Sequence, residues 1–123
     1  VTGFVPDEIK YTLLTYAACS VLVGYYEGFG IPVVESLNFG VTPVVANTAS
    51  LPEVVGDFGV LVDPYRIEDI ARGFEEGVSF IPNPEKIAKM KLWAKQFSWK
   101  QSAAIIIEVL SDIFQKKVFY PFE

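Results

Sequence analysis

The sequence predicts an α/β fold: a parallel sheet with helices on both faces, followed by C-terminal helices. Three observations predict it. Short apolar runs without polar alternation, at 20–24, 43–47 and 60–62, read as strands covered on both sides. Stretches of helical or turn character lie between them, and alternation of this kind joins parallel strands through crossovers. From Ile67 onward the apolar pattern is helical throughout. At 123 residues, 51% of them apolar, the chain has the length and the core of one domain.

Taken in order, the opening VTGFV reads as the end of a strand. Pro6 and Asp7 open a helix, because proline suits a first turn and the Asp7–Glu8 pair complements the dipole. Ile9, Leu13, Tyr16 and Ala17 recur at helical spacing and predict one buried face. Ser20 to Gly24 is the first strand. A glycine turn follows, then a helix from about Pro32 to Phe39 that Gly40 stops. Pro43 to Asn47 is the second strand, and Pro52 to Val55 one helical turn ended by Gly56. Val60 to Val62 is the third strand, ended by Asp63-Pro64. Ile67, Ile70, Ala71, Phe74 and Val78 then mark an amphipathic face. Asn83-Pro84 caps a second helix with Ile87, Met90 and Ala94 inward. Ser98 and Gln101 form a capping box for a third, striped by Ile106, Leu110, Ile113 and Phe114. The aromatic tail VFYPFE is expected to dock on something.

Composition narrows the chemistry. Net charge is −5 with no basic stripe near the glycine turn, which argues against nucleic acid. The absence of histidine excludes a Ser–His–Asp triad and a His-ligated metal within these residues. Cys19 has no partner for an internal disulfide and reads as a core filler. No charge-free apolar run reaches the roughly 18 residues of a membrane span, and no signal peptide is visible, so a cytoplasmic protein is expected.

The stretch from Tyr25 to Pro43 carries the candidate site. A strand that ends in Gly28-Phe29-Gly30 and hands over to a helix leaves backbone N–H groups bare, and the helix aims its positive end at the same place. Gly28 and Gly30 let a ligand approach the main chain. Glu35, within the following helix, can accept paired hydrogen bonds from a vicinal diol such as a ribose. Glu27, before the turn, can accept from sugar hydroxyls or balance charge at a reacting anomeric carbon. Spacing alone proves little, since Glu68 and Glu76 stand equally far apart on a solvated helix face. The intervening glycine turn separates the two pairs. A tight strand-to-helix turn with two exposed carboxylates is the structural alternative.

Glu27-Gly28-Phe29-Gly30-Ile31-Pro32 followed by Glu35 resembles the E-G-F-G-x-P-x-x-E signature of retaining nucleotide-sugar glycosyltransferases, the glycogen-synthase-like and mannosyltransferase-like family GT4. The resemblance runs in order along nearly the whole chain. Pro43-Val44-Val45-Ala46, Ser50-Leu51-Pro52-Glu53-Val54-Val55-Gly56-Asp57, Leu61-Val62-Asp63-Pro64 and Gln96-Phe97-Ser98-Trp99 are each similar to a family motif. The resemblance implies a GT-B enzyme of two Rossmann-like domains, with this chain most of the C-terminal, nucleotide-sugar-binding one. The first βα unit and the N-terminal acceptor domain are then absent from it. It implies that Glu35 takes the donor ribose and Glu27 sits by the transferred sugar. The amides of Gly28, Phe29, Gly30 and Ile31 lie near sugar and diphosphate, and Gly3 and Val5 border the base. The donor would be a UDP-, GDP- or ADP-sugar, transferred with retention, without a metal or other cofactor and without a protein nucleophile.

Three departures from the family accompany the likeness. Val23-Gly24 stands where Pro-Ser is usual, and Gly40-Val41-Thr42-Pro43 is one residue longer than the usual G-x-P. The Arg and Lys that neutralise the diphosphate in the family are expected upstream of Val1, so this chain alone is expected to bind donor weakly and not to catalyse transfer. Lys116, Lys117, Phe119 and Tyr120 would dock on the acceptor half, or touch a membrane if the acceptor is a lipid. The alternatives are a non-catalytic GT-B-like binding module, or another GT-B enzyme such as a sugar-nucleotide epimerase or a phosphorylase.

Overall fold

The computed structural model describes residues 2–115. The aromatic tail, with its docking and membrane expectations, lies outside the described residues. The order is α1 (Asp7–Tyr16), β1 (Cys19–Leu22), α2 (Ile31–Phe39), β2 (Thr42–Ala46), α3 (Leu51–Val55) with a 3-10 turn at Gly56–Phe58, β3 (Val60–Val62), α4 (Ile67–Ser79), α5 (Pro84–Ala94) and α6 (Trp99–Gln115). The three strands form one parallel sheet in sequence order, with Val21 opposite Val44 and Val44 opposite Val60. This is the α/β architecture expected, a partial Rossmann-like domain of the GT-B kind followed by helices.

Alternation along β2 divides the core. Val45 belongs to the layer built by Val33 and Leu37 of α2, Leu51 and Val54 of α3, and Met90 and Ala94 of α5. Val44 faces the other way with Val60 and Val62, against Ile70 of α4 and Cys19. Every residue of β2 is buried, as a central strand between two helical layers must be. Because the strands are parallel, their carboxyl ends at Leu22, Ala46 and Val62 share one edge, and Asn47 N–H extends the ladder there to the Val62 carbonyl at 2.7 Å. The loops that leave this edge carry the candidate site.

Predicted stops and caps act as the residues suggest. Gly40 ends α2 in a left-handed turn, its N–H donating to the Leu37 and Ser36 carbonyls. The Asn83 side chain accepts from Lys86 N–H at the start of α5, and Ser98 Oγ accepts from Gln101 N–H at the start of α6.

Several expectations are corrected. Residues 2–5 are not strand, and β1 pairs with β2 alone, so no ladder is offered to them among the described residues. For the same reason β1 is only half covered, with Val21 exposed. Helix α1 has no buried residue: Ile9, Leu13 and Tyr16 are exposed and Ala17 is half-buried beyond its end. It is held to α2 by a Tyr11–Phe39 stack at 5.5 Å and a Lys10–Glu35 ion pair. On α4 the expected stripe is not the seat. Ile67, Ala71, Phe74 and Val78 are exposed, and the helix rests through buried Gly73 and Gly77, with Ile70 beside them. A Cβ at Gly73 would collide with Val62, and one at Gly77 with Val44, so the helix backbone lies directly on the sheet. The stripe of α6, Ile106, Leu110, Ile113 and Phe114, is exposed as well. An amphipathic pattern records that a helix needs a partner surface but not where that surface is.

Candidate functional site

The loop from Val23 to Gly30 leaves the carboxyl end of β1 and enters α2 without regular structure. Neighbouring loops brace it. Tyr25 stacks on Tyr65 of the β3–α4 loop at 5.0 Å. The Ser50 hydroxyl, from the β2–α3 loop, donates to the Glu27 carbonyl at 3.0 Å and the Phe29 carbonyl at 3.1 Å. Gly30 turns the chain into α2 at φ 98°, a left-handed conformation, and a Cβ there would lie 2.7 Å from Leu51 Cδ2. This glycine therefore serves the turn and its packing. Gly28 differs, since nothing stands within 4 Å of where its Cβ would be.

The turn leaves its donors unspent. Among the described residues, the amides of Gly28, Phe29, Gly30 and Ile31 donate to no group, and α2 has no side-chain cap. Helix starts of this kind attract anions, because the bare N–H groups and the dipole point the same way. Phe29 lies edge-on against Phe97 at 5.6 Å and stays partly exposed, so no helix among the described residues closes over it.

Glu35 lies on the second turn of α2. Its Oε1 accepts from Lys10 Nζ at 2.8 Å, and Asp7 Oδ1 stands 3.2 Å from the same ammonium. These two carboxylates, Glu35 foremost, hold the Lys10 ammonium above its ordinary range. Glu35 also lines a cavity of about 490 Å³ with Phe29, Ile31, Val34, Gln96, Phe97, Ser98, Trp99 and Ser102. Glu27 is not part of that wall. Its Oε1 lies back beside Gly24, 3.5 Å from where a Cβ on that residue would stand. Gly3, at φ 66°, and Val5 precede α1 and lie outside the cavity too. The structure thus brings Phe29, Ile31 and Glu35 to one cavity, and Glu27 and Gly28 do not line it.

On the same edge, Asp69 of α4 ties the β3–α4 loop. It accepts from Arg72 Nε at 2.7 Å and from Asp63 N–H at 2.7 Å, and the guanidinium first, then the amide, hold its carboxyl below the usual range. Arg72 reaches on to the Leu61 carbonyl at 2.9 Å.

The family described as glycosyl transferases group 1 matches residues 1–97, the span that holds the sheet, the glycine turn and α2 to α5. The chain belongs to that family. It is 39% identical over 99 residues to the O-antigen chain mannosyltransferase B of Escherichia coli, covering 80% of this chain and 26% of that protein. It is 29% identical over 115 residues to a serotype-specific mannosyltransferase, WbdA, of the same species, covering 93% of this chain and 14% of the relative. A GDP-mannose-dependent alpha-(1-6)-phosphatidylinositol dimannoside mannosyltransferase of Mycobacterium tuberculosis (strain ATCC 25177 / H37Ra) is 33% identical over 113 residues, 89% of this chain and 29% of that one. The chain therefore spans between about a seventh and under a third of the length of these relatives.

Two contributors to the candidate site carry no local signal in the sequence. Ser50 was visible as part of a motif, but its hydrogen bonds reach 21 and 23 residues back, beyond any local pattern. Lys10 signals only its pairing with Asp7 one turn earlier, and its bond to Glu35 spans 25 residues.

Proposed function

We propose that this chain is the donor-binding part of a GT-B glycosyltransferase that moves a hexose from a nucleotide sugar to an acceptor with retention of configuration. The observation that carries it is the row of unspent amides from Gly28 to Ile31, open to solvent at Gly28, at the start of the helix that bears Glu35. The diphosphate lies against those amides, where charge and hydrogen-bond geometry both suit it. Glu35 Oε2 accepts from the ribose hydroxyls, and Gly3 and Val5 border the base. Mannose is the sugar to test first, and GDP-mannose the first donor, because the three relatives named above are mannosyltransferases and one of their names gives that donor.

Transfer proceeds on one face of the sugar. The bond from the anomeric carbon to the diphosphate oxygen breaks as the acceptor oxygen attacks from the same side, and the acceptor proton passes to the departing phosphate oxygen. No protein nucleophile and no metal enter this scheme. Glu27 turns from its place beside Gly24 toward the sugar and balances the charge that builds at the anomeric carbon. The remaining length of the enzyme supplies the acceptor site.

Steady-state kinetics on the intact enzyme test the reading. Glu35→Ala raises the donor KM by about 10- to 100-fold, the worth of hydrogen bonds to a charged acceptor. Glu27→Ala lowers kcat by about 100-fold with donor KM little changed. Wild-type kinetics in both variants would leave the turn a structural feature only.

A further inference from the structure

We propose that Lys10 is a positioning residue for the donor: it fixes Glu35 for the ribose and sets the distance from Glu35 to the segment that borders the base. The inference rests on the ribose role given to Glu35 above.

The geometry is specific. Lys10 Nζ holds Glu35 Oε1 at 2.8 Å, and Asp7 Oδ1 at 3.2 Å anchors the same ammonium from its own helix. Glu35 Oε2 has no partner among the described residues. One oxygen is thus occupied and one is free, and the free one belongs to a side chain that lines the cavity while Lys10 does not. A glutamate has several soft rotors, and ordering it for a diol costs conformational entropy at the moment of binding. A partner already in place removes much of that cost, which is how preorganisation gains affinity.

The second half of the inference comes from α1. This helix has no buried residue, so core packing does not locate it. Its polar tie to α2 is the Lys10–Glu35 pair, supported by the Tyr11–Phe39 stack one residue along. Gly3 and Val5 lie just ahead of α1, so the pair that orients the ribose acceptor also sets where the base-bordering segment stands. Charge adds to this. The chain carries −5 overall, and a diphosphate near Glu35 would meet an unbalanced carboxylate without Lys10.

An ion pair between two helices that stays partly open to water contributes little to stability, so a melting curve alone does not test the role. The test is the preference for a ribose 2′-hydroxyl. Intact enzyme is titrated by calorimetry with GDP, UDP and ADP and with the 2′-deoxy form of each, and the tightest base is carried forward. Wild type prefers the ribo form by about 10-fold or more, one hydrogen bond to a charged acceptor. Lys10→Met brings that ratio toward unity by weakening the ribo form, and Lys10→Arg, which keeps a donor, restores most of it. Glu35→Gln serves as the reference for a disabled acceptor.

Equal weakening of both forms by Lys10→Met, or no change in either, would overturn the positioning role. A preference that survives Lys10→Met but vanishes in Glu35→Gln removes this inference and leaves the ribose assignment standing. Absence of any 2′-hydroxyl preference in wild type removes the ribose assignment itself, and this inference with it.

Discussion

Ser50 shows how a residue without a chemical role of its own can govern a site. Its hydroxyl is shared between the Glu27 and Phe29 carbonyls, a three-centre bond that pins both ends of the Glu27–Phe29 turn to the next loop. With those carbonyls turned toward Ser50, the amides of Gly28 to Ile31 donate to no group among the described residues. Ser50→Ala is expected to cost about 1 kcal/mol of stability, the net worth of one hydrogen bond. It should cost more than that in donor kcat/KM, because the loop then samples other turns. Thermal melting beside steady-state kinetics reads both, and a kinetic loss no larger than the stability loss would make Ser50 a purely structural brace. The placement of the glycines at a turn and of Glu35 on the helix it opens was legible from the sequence, because turn and helix are local. Lys10 and Ser50 were not, since each acts on a residue more than 20 positions away through the fold. Glu27 was legible as a carboxylate beside the turn, but its retreat toward Gly24 was not, because spacing does not fix a rotamer.

At the scale of elements, the strand expected in the opening residues is not formed, whereas the three paired strands were legible to within about two residues, because apolar runs, prolines and glycines act locally. The faces of three helices were not. Helix α4 is the sharpest case, since its apolar residues suggested the seat and its glycines provide it. Hydrophobic periodicity scores side chains, so a contact made by bare backbone carries no signal in it. Gly73→Ala separates the two views by sign. By helix propensity alone the change gains about 1 kcal/mol. Against the sheet the new methyl meets Val62 and Val44, and overpacking of this kind costs about 1–3 kcal/mol. A lower melting midpoint for Gly73→Ala is the expected result, and a raised one would place the seat of α4 elsewhere.

For the whole molecule, stability is concentrated in the layers around β2. The buried apolar residues fall between Val33 and Ala94, and Leu37, Val44, Val45 and Met90 are fully enclosed there. Helix α6 adds no buried side chain to this body, with every described side chain exposed and a broad apolar face that includes Ile105, Ile106, Ile107, Val109, Leu110, Ile113 and Phe114. The family match closes at residue 97, just before α6 begins at Trp99. The sequence pattern on α6 is amphipathic, though less so than that on α4, and pattern and contribution to this body's stability part company. A pair of substitutions measures the separation. Met90→Ala opens a cavity in the enclosed layer and is expected to cost about 2–5 kcal/mol. Ile106→Glu with Ile113→Glu, on an exposed face, should stay within about 0.5 kcal/mol of the parent. Chemical denaturation of the 123-residue chain reads both midpoints. A large loss from the α6 pair would show that the helix packs on this body after all, and the cavity beside Trp99 would then be narrower in solution than its walls suggest.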